Sequence, residues 1–173
     1  MLSKTLEKAI NDQINAEMWS AYLYLSMSAY CYSIGQPGFG NWYNVQFQEE
    51  QDHAKILFNY VVRRGGRVIL QPIAAVPAEW AGLKDVVKAT LAHEQKVTAL
   101  IDGLYAQASA ENDYATTSAL RWFVDEQVEE EENAQEIIDH LEMIKDNGYG
   151  LYMLDKELGE RTYSPATPLK ESK

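Results

Sequence analysis

Along most of the chain, apolar residues recur at alternating steps of three and four, the period of a helix with one buried stripe. Four long runs carry this pattern. The first stripe reads Ile10, Ile14, Glu17, Ala21, Tyr24 and Ser28, and the second Phe39, Tyr43, Gln46, Glu50, His53, Leu57 and Tyr60. The third reads Leu83, Val87, Thr90, Glu94, Val97, Ile101 and Leu104. The fourth reads Leu120, Phe123, Gln127, Glu130, Ala134, Ile137, Leu141 and Ile144. Breaks fall between them. Ser3 can cap a first helix running to about Tyr32, which Gly35-Gln36-Pro37-Gly38 stops. A second helix runs from about Phe39 to Arg64 and ends at Gly65-Gly66. A third spans about Leu83 to Ala110, and a fourth, capped by Asp113, continues to about Asp146. Beyond Gly148 and Gly150 a short apolar helix is expected over Leu151 to Leu158.

The connections set the topology. Short turns after the first and third helices make antiparallel hairpins. The middle connection, Arg67 to Trp80, contains Pro72 and Pro77 and has no helical period. A helix of this length is roughly 40 Å long, and about 14 extended residues can reach roughly 45 Å. The connection can therefore run the length of the bundle and leave the second and third helices parallel. The expected fold is all-α, a four-helix bundle over about 3–146 with one long crossover and a short fifth helix at about 150–159. It reads as one domain over 1–162, followed by a loose tail over 163–173.

Each stripe carries an acid near its middle, and this changes the picture. A single acid on a helical face is usually solvated. Four at comparable depth in four helices are not so easily placed, because ionised carboxylates cannot satisfy one another. A buried carboxylate needs a partner, a proton or a cation. The candidate ligands are mostly carboxylates with one imidazole, and no thiolate. That set suits iron, manganese or, less well, magnesium. It holds too many acids for one divalent ion, so two ions about 3.5–4 Å apart fit better.

Charge and composition narrow the partners. The net charge of −11 speaks against nucleic acid and for multivalent cations. The single cysteine, Cys31, makes no internal disulfide and no zinc motif, and reads as a small filler near a helix end. Met1 to Glu7 mixes charged and apolar residues, unlike a signal peptide, and no run is long and apolar enough to span a bilayer. A cytoplasmic protein without a membrane partner is expected. His93 and His140 fall off the stripes and read as surface histidines, and Glu131, Glu132 and Glu136 as a solvated face.

Asn15-Ala16-Glu17, Glu49-Glu50-x-x-His53, His93-Glu94 and the run Trp122 to Glu131 resemble the non-haem ferritins of bacteria and archaea over nearly the whole chain. The resemblance implies a ferroxidase with two irons. Glu17, Glu50 and His53 would hold the first iron. Glu50 would bridge to a second iron held by Glu94 and Glu130, with Gln127 beside it. Glu49, Glu126 and Glu129 match a third, weaker site, Tyr24 matches a tyrosine near the di-iron centre, and Trp122 would also be close to that centre. Haem is not expected, since Asp52 stands where bacterioferritins present a methionine. The absence of paired Cys-x-x-Cys segments argues against a rubrerythrin.

In such a centre two ferrous ions pass two electrons to O₂, or to H₂O₂, and ferric ion leaves for a mineral store. The family implies a homo-oligomer, a hollow shell of twenty-four subunits. Met18, Trp19, Tyr22, Leu23 and Leu25 beyond the first stripe suit subunit contacts, as do Leu151, Tyr152, Met153 and Leu154. The alternative is a di-iron or di-manganese oxidase or peroxidase of the same superfamily without a storage role.

Overall fold

The computed structural model describes residues 2–171, and every regular element within them is a helix. Helices α1 (Lys4–Ser33), α2 (Pro37–Arg63), α3 (Leu83–Ala110) and α4 (Tyr114–Ile144) form the bundle, followed by α5 (Gly148–Leu158) and α6 (Thr167–Glu171). The caps are those expected from sequence. Ser3 accepts from the Leu6 N–H at 3.0 Å, and Asp113 from that of Thr116 at 3.1 Å. Two ends differ. α2 begins at Pro37, whose fixed φ and missing N–H suit a first helical position. α5 begins at Gly148, because the Asn147 side chain takes the Tyr149 and Gly150 N–H groups at 3.1 and 3.2 Å.

The crossover lies along α1 from one end to the other. Near its start Asn11 donates to the Arg67 carbonyl and accepts from the Ile69 N–H, at 3.1 and 2.7 Å. Near its end Ser26 donates to the Pro77 carbonyl and Tyr30 to that of Trp80, at 2.7 and 2.8 Å. Side chains of α1 thus satisfy a strand-like segment that has no sheet to join. The chain is returned to the end where α2 began, so α2 and α3 run parallel. Arg64, just beyond α2, then ties the α3–α4 turn through a two-pronged pair with Asp113, at 3.0 and 2.8 Å.

The interior has three layers. One apolar cluster, including Leu6, Ile10, Leu57, Ile101, Leu120 and Phe123, fills one end of the bundle. A second, including Met27, Phe39, Trp42, Val87 and Leu141, fills the other. The buried polar residues Glu17, Gln46, Glu50, His53, Glu94, Gln127 and Glu130 lie between them. All the stripe residues are buried except Leu83 and Ile144, which are half-buried.

α5 docks on the start of α2. A methyl group on Gly38 would come 1.6 Å from the Asp155 carbonyl oxygen, so this approach requires glycine. Asp155 also accepts from the Phe39 N–H at 3.0 Å, capping α2 from another helix, and the Asn41 amide donates to the Arg161 carbonyl at 2.9 Å. Leu154 is buried against the bundle, whereas Tyr152 and Met153 are exposed. The following segment, expected to be loose, lies on α2. The Tyr163 hydroxyl and the Ala166 N–H both donate to Asp52 Oδ2, at 2.9 and 2.8 Å. A carboxylate collecting two donors from a distant segment leaves no mark on local periodicity. Ser172 and Lys173, the end of the expected tail, lie outside the described residues.

Candidate metal centre

Three helical positions meet in the polar layer. α1 contributes Glu17, and α2 contributes Glu50 and His53, one turn apart on the same face. One ligand atom from each lies within 4.8 Å of the other two. Glu17 Oε1 accepts from the Gln13 amide at 2.9 Å. The other oxygen, Glu17 Oε2, and Glu50 Oε2 are buried without a hydrogen-bond donor. Nδ1 of His53 lies 3.5 Å from Glu50 Oε2, an ion-pair distance. Two orphaned carboxylate oxygens in one buried layer are costly unless a cation takes them.

Glu94 on α3 and Glu130 on α4 lie in the same layer but are otherwise engaged. Glu94 accepts from the Tyr24 hydroxyl on one oxygen and from the Gln127 amide at 3.2 Å on the other. Glu130 accepts from the Gln46 amide at 2.7 Å. Neither belongs to the close group of Glu17, Glu50 and His53. The residues expected to hold a second ion thus share the layer but are not gathered with Glu17, Glu50 and His53, and each faces a neutral donor.

Burial raises the cost of charge at Glu17, Glu94 and Glu130. It pushes the Glu17 carboxyl up to about 8, with the negative charge of Glu50 adding to it. Burial and the charge of Glu130 hold Glu94 well above the usual carboxylate range. Burial also raises Glu130, against the pull of His53 and the Gln46 amide. The imidazole of His53 is raised too, but for a base this favours the charged form. Burial opposes its charge, but contact with Glu50 and the charges of Glu50, Glu17 and Glu130 push it up to about 10. The layer is short of positive charge, and His53 supplies what little it can.

A second group of acids lies on the flank. Glu49 is half-buried, and Arg161 binds it: Nη2 donates to Glu49 Oε2 at 2.7 Å, and Nη1 to Gln46 Oε1 at 2.6 Å. Glu126 Oε1 lies 3.9 Å from His53 Nε2, and Glu129 is exposed on the same helix. Burial pushes Glu49 up to about 7 despite the Arg161 charge. Burial raises Glu126 as well, with Glu129 adding to it. Arg161 escapes a reading of helical stripes because it follows α5 and belongs to no stripe. A lone cation just past an acidic bundle was the one available sign.

The surroundings are aromatic. The Trp122 ring meets that of His53 edge-on at 5.4 Å, and Tyr24 stacks on Tyr43 at 6.0 Å. His93, expected at the surface, is instead half-buried. It shares a 2.8 Å hydrogen bond with Ser20 and packs against the rings of Trp19 and Tyr24 at 5.3 and 5.9 Å. Burial and the nearby Lys96 push it down to about 4. The face of α3 beside its stripe is covered by α1, whose apolar residues extend beyond a single stripe. His140 is half-buried, and Glu131, expected to be solvated, is half-buried and accepts from the Thr98 hydroxyl.

Comparison with known proteins adds a lineage to this geometry. The family profile of ferritins, a ferritin-like domain, matches residues 7–144. A bacterial non-heme ferritin from Bacteroides fragilis is 44% identical over 161 residues, covering 93% of this chain and 100% of that one. One from Staphylococcus aureus is 39% identical over 163 residues, covering 94% and 98%. Among solved structures, a humanized archaeal ferritin superimposes with a TM-score of 0.94 at 45% identity, over 95% of this chain and 100% of that one. An open-pore ferritin from the hyperthermophilic archaeon Archaeoglobus fulgidus gives a TM-score of 0.93 at 45% identity, over 94% and 100%.

Proposed function

This chain belongs to the ferritin family, and we propose from that membership and its buried acids that it is an iron-storing ferroxidase. The observation that carries the proposal is the pair of donorless oxygens on Glu17 and Glu50 with His53 beside them. Iron here is the substrate. Glu17, Glu50 and His53 take one ferrous ion. Glu94 and Glu130 take a second, with Glu50 bridging and Gln127 orienting Glu94. Glu49, Glu126 and Glu129 offer a weaker third position.

The electrons balance simply. Two ferrous ions lose one electron each, and O₂ gains two electrons and two protons to give H₂O₂. Reduction of that product to two waters takes two more electrons and two protons, with one electron from ferrous ion on the flank and one from Tyr24. The raised carboxyls are suited to this, because ion binding displaces their protons into the site where reduced oxygen needs them.

Storage as a mineral calls for an enclosed space, and exposed apolar residues support assembly of many copies. Tyr22 is 51% exposed and Tyr152 63%, on α1 and α5. We place subunit contacts on both faces, within the hollow shell expected of the family. No helix among the described residues is long and apolar enough to cross a membrane, and a cytoplasmic setting is part of the same proposal.

The test is an anaerobic ferrous titration followed by O₂, on wild type, His53→Ala and Glu94→Ala, with particle size measured on the same samples. Two ferrous ions per subunit, rapid oxidation lost in both variants and a large particle taking up many irons are expected. Unchanged oxidation in both variants would refute the site. A small oligomer holding only two or three irons would point to an oxidase without storage.

A further inference from the structure

Arg161 is the one feature of the flank that the ferroxidase reading leaves unused. Its guanidinium occupies a built position. It donates to Glu49 and Gln46 at 2.7 and 2.6 Å, and its central carbon lies 5.0 Å from the centre of the Trp42 ring. The backbone is held on both sides. Asn41 takes the Arg161 carbonyl, and Asp52 takes the Tyr163 hydroxyl and the Ala166 N–H. Both anchors, Asn41 and Asp52, belong to α2, the helix that carries Glu49, Glu50 and His53. The side chain is therefore directed at the acids by a strap two points wide, not left to find them by diffusion.

We propose that Arg161 is a tethered cation standing in the flanking ion position, so that a third ferrous ion uses Glu49 only by displacing the guanidinium. The proposal rests on the ferroxidase reading above and adds a competitor to it. Glu49 Oε2 is the oxygen that Arg161 holds, and a second positive charge beside it meets both repulsion and an occupied acceptor. Glu126 and Glu130 also feel the Arg161 charge, so the guanidinium offsets acids on both sides of the flank. At rest, two ions are held tightly and Glu49 on the flank is already paired. Entry of a third displaces the guanidinium while the strap's bonds to Asn41 and Asp52 remain.

Anaerobic ferrous titration calorimetry on the full-length protein tests this, with wild type, Arg161→Gln, Arg161→Lys and Glu49→Gln/Arg161→Gln compared. Arg161→Gln should bind the third ion at least about tenfold more tightly and change the affinity of the first two by a clearly smaller factor. The guanidinium reaches those only through Gln46 and at a distance. Arg161→Lys keeps the charge and should behave as wild type, while the double variant should lose the gain. Asn41→Ala, which loosens the tether and keeps the charge, should move in the same direction as Arg161→Gln by a smaller factor. Third-ion affinity that is unchanged or lower in Arg161→Gln would overturn the proposal. Failure of wild type to bind even the first two ions would instead overturn the ferroxidase reading, and this inference with it.

Discussion

Replacing Glu17 with glutamine should make the metal-free protein more stable while impairing ion binding. The folded carboxyl is pushed up to about 8 from an ordinary value of 4.5. Between those values the unfolded chain is ionised and the folded one is protonated, so the folded state binds more protons and stability falls as pH rises. Each pH unit in that window costs about 1.4 kcal/mol. At pH 7, about 2.5 pH units above the ordinary value, the accumulated loss is about 3 kcal/mol, which a non-titrating amide avoids. The Gln13 hydrogen bond survives, because the amide oxygen of the new side chain can still accept it. Glu17 also supports the charge on His53, but below about pH 8 it is mostly protonated and its contribution there is small.

Thermal melts of chelator-treated protein at matched concentration, from pH 5 to 8, give the measurement. The variant should gain on wild type steadily with pH, the gap nearly closing at pH 5. Added Zn(II) should then raise the wild-type midpoint and reverse the order, since a ligand at a thousand times its dissociation constant adds about 4.1 kcal/mol. A variant no more stable than wild type at pH 7, or a gap independent of pH, would refute the account of these acids.

Gln127→Glu sets another carboxylate against Glu94 in place of an amide donor at 3.2 Å. It should cost about 1–3 kcal/mol in metal-free protein, read as a lower melting midpoint, and should increase the midpoint shift on adding Zn(II). Gly38→Ala forces α5 away from the start of α2, given the 1.6 Å approach. Hydrogen exchange should show faster exchange at the Phe39 N–H and through α5, with α3 unaffected. Arg64→Ala removes the two-pronged pair with Asp113 and its bonds to Tyr60 and Thr116. A loss of about 2 kcal/mol is expected, measured by denaturant melts and matched by Asp113→Ala with the double variant costing less than the sum.

Much of this architecture is legible in the residues because two periods coincide. The step that keeps Ile10, Leu57, Val97 and Phe123 on inner faces also carries Glu17, Glu50, Glu94 and Glu130 there, so stripe and site are read together. The extended crossover is equally visible from its two prolines and its length. What stays hidden depends on contacts between distant segments. Arg161 reaches Glu49 only because α5 folds back over the start of α2. His93 is covered only because α1 brings Trp19 and Ser20 to it. The division of labour among the acids is hidden too, since Glu94 and Glu130 share a stripe position with Glu17 yet differ in the donors that face them.

The cap that Asp155 places on Phe39 ties the birth of the ligand-bearing rod to a helix that is itself half outside the bundle. Whatever grips the outer face of that small helix also sets the first turn of the rod, three turns upstream of Glu50. Docking of a neighbouring copy there would tighten the ligand geometry from a distance, and clipping the chain before residue 155 would leave the rod's leading end frayed. Assembly and ion affinity should therefore rise and fall together.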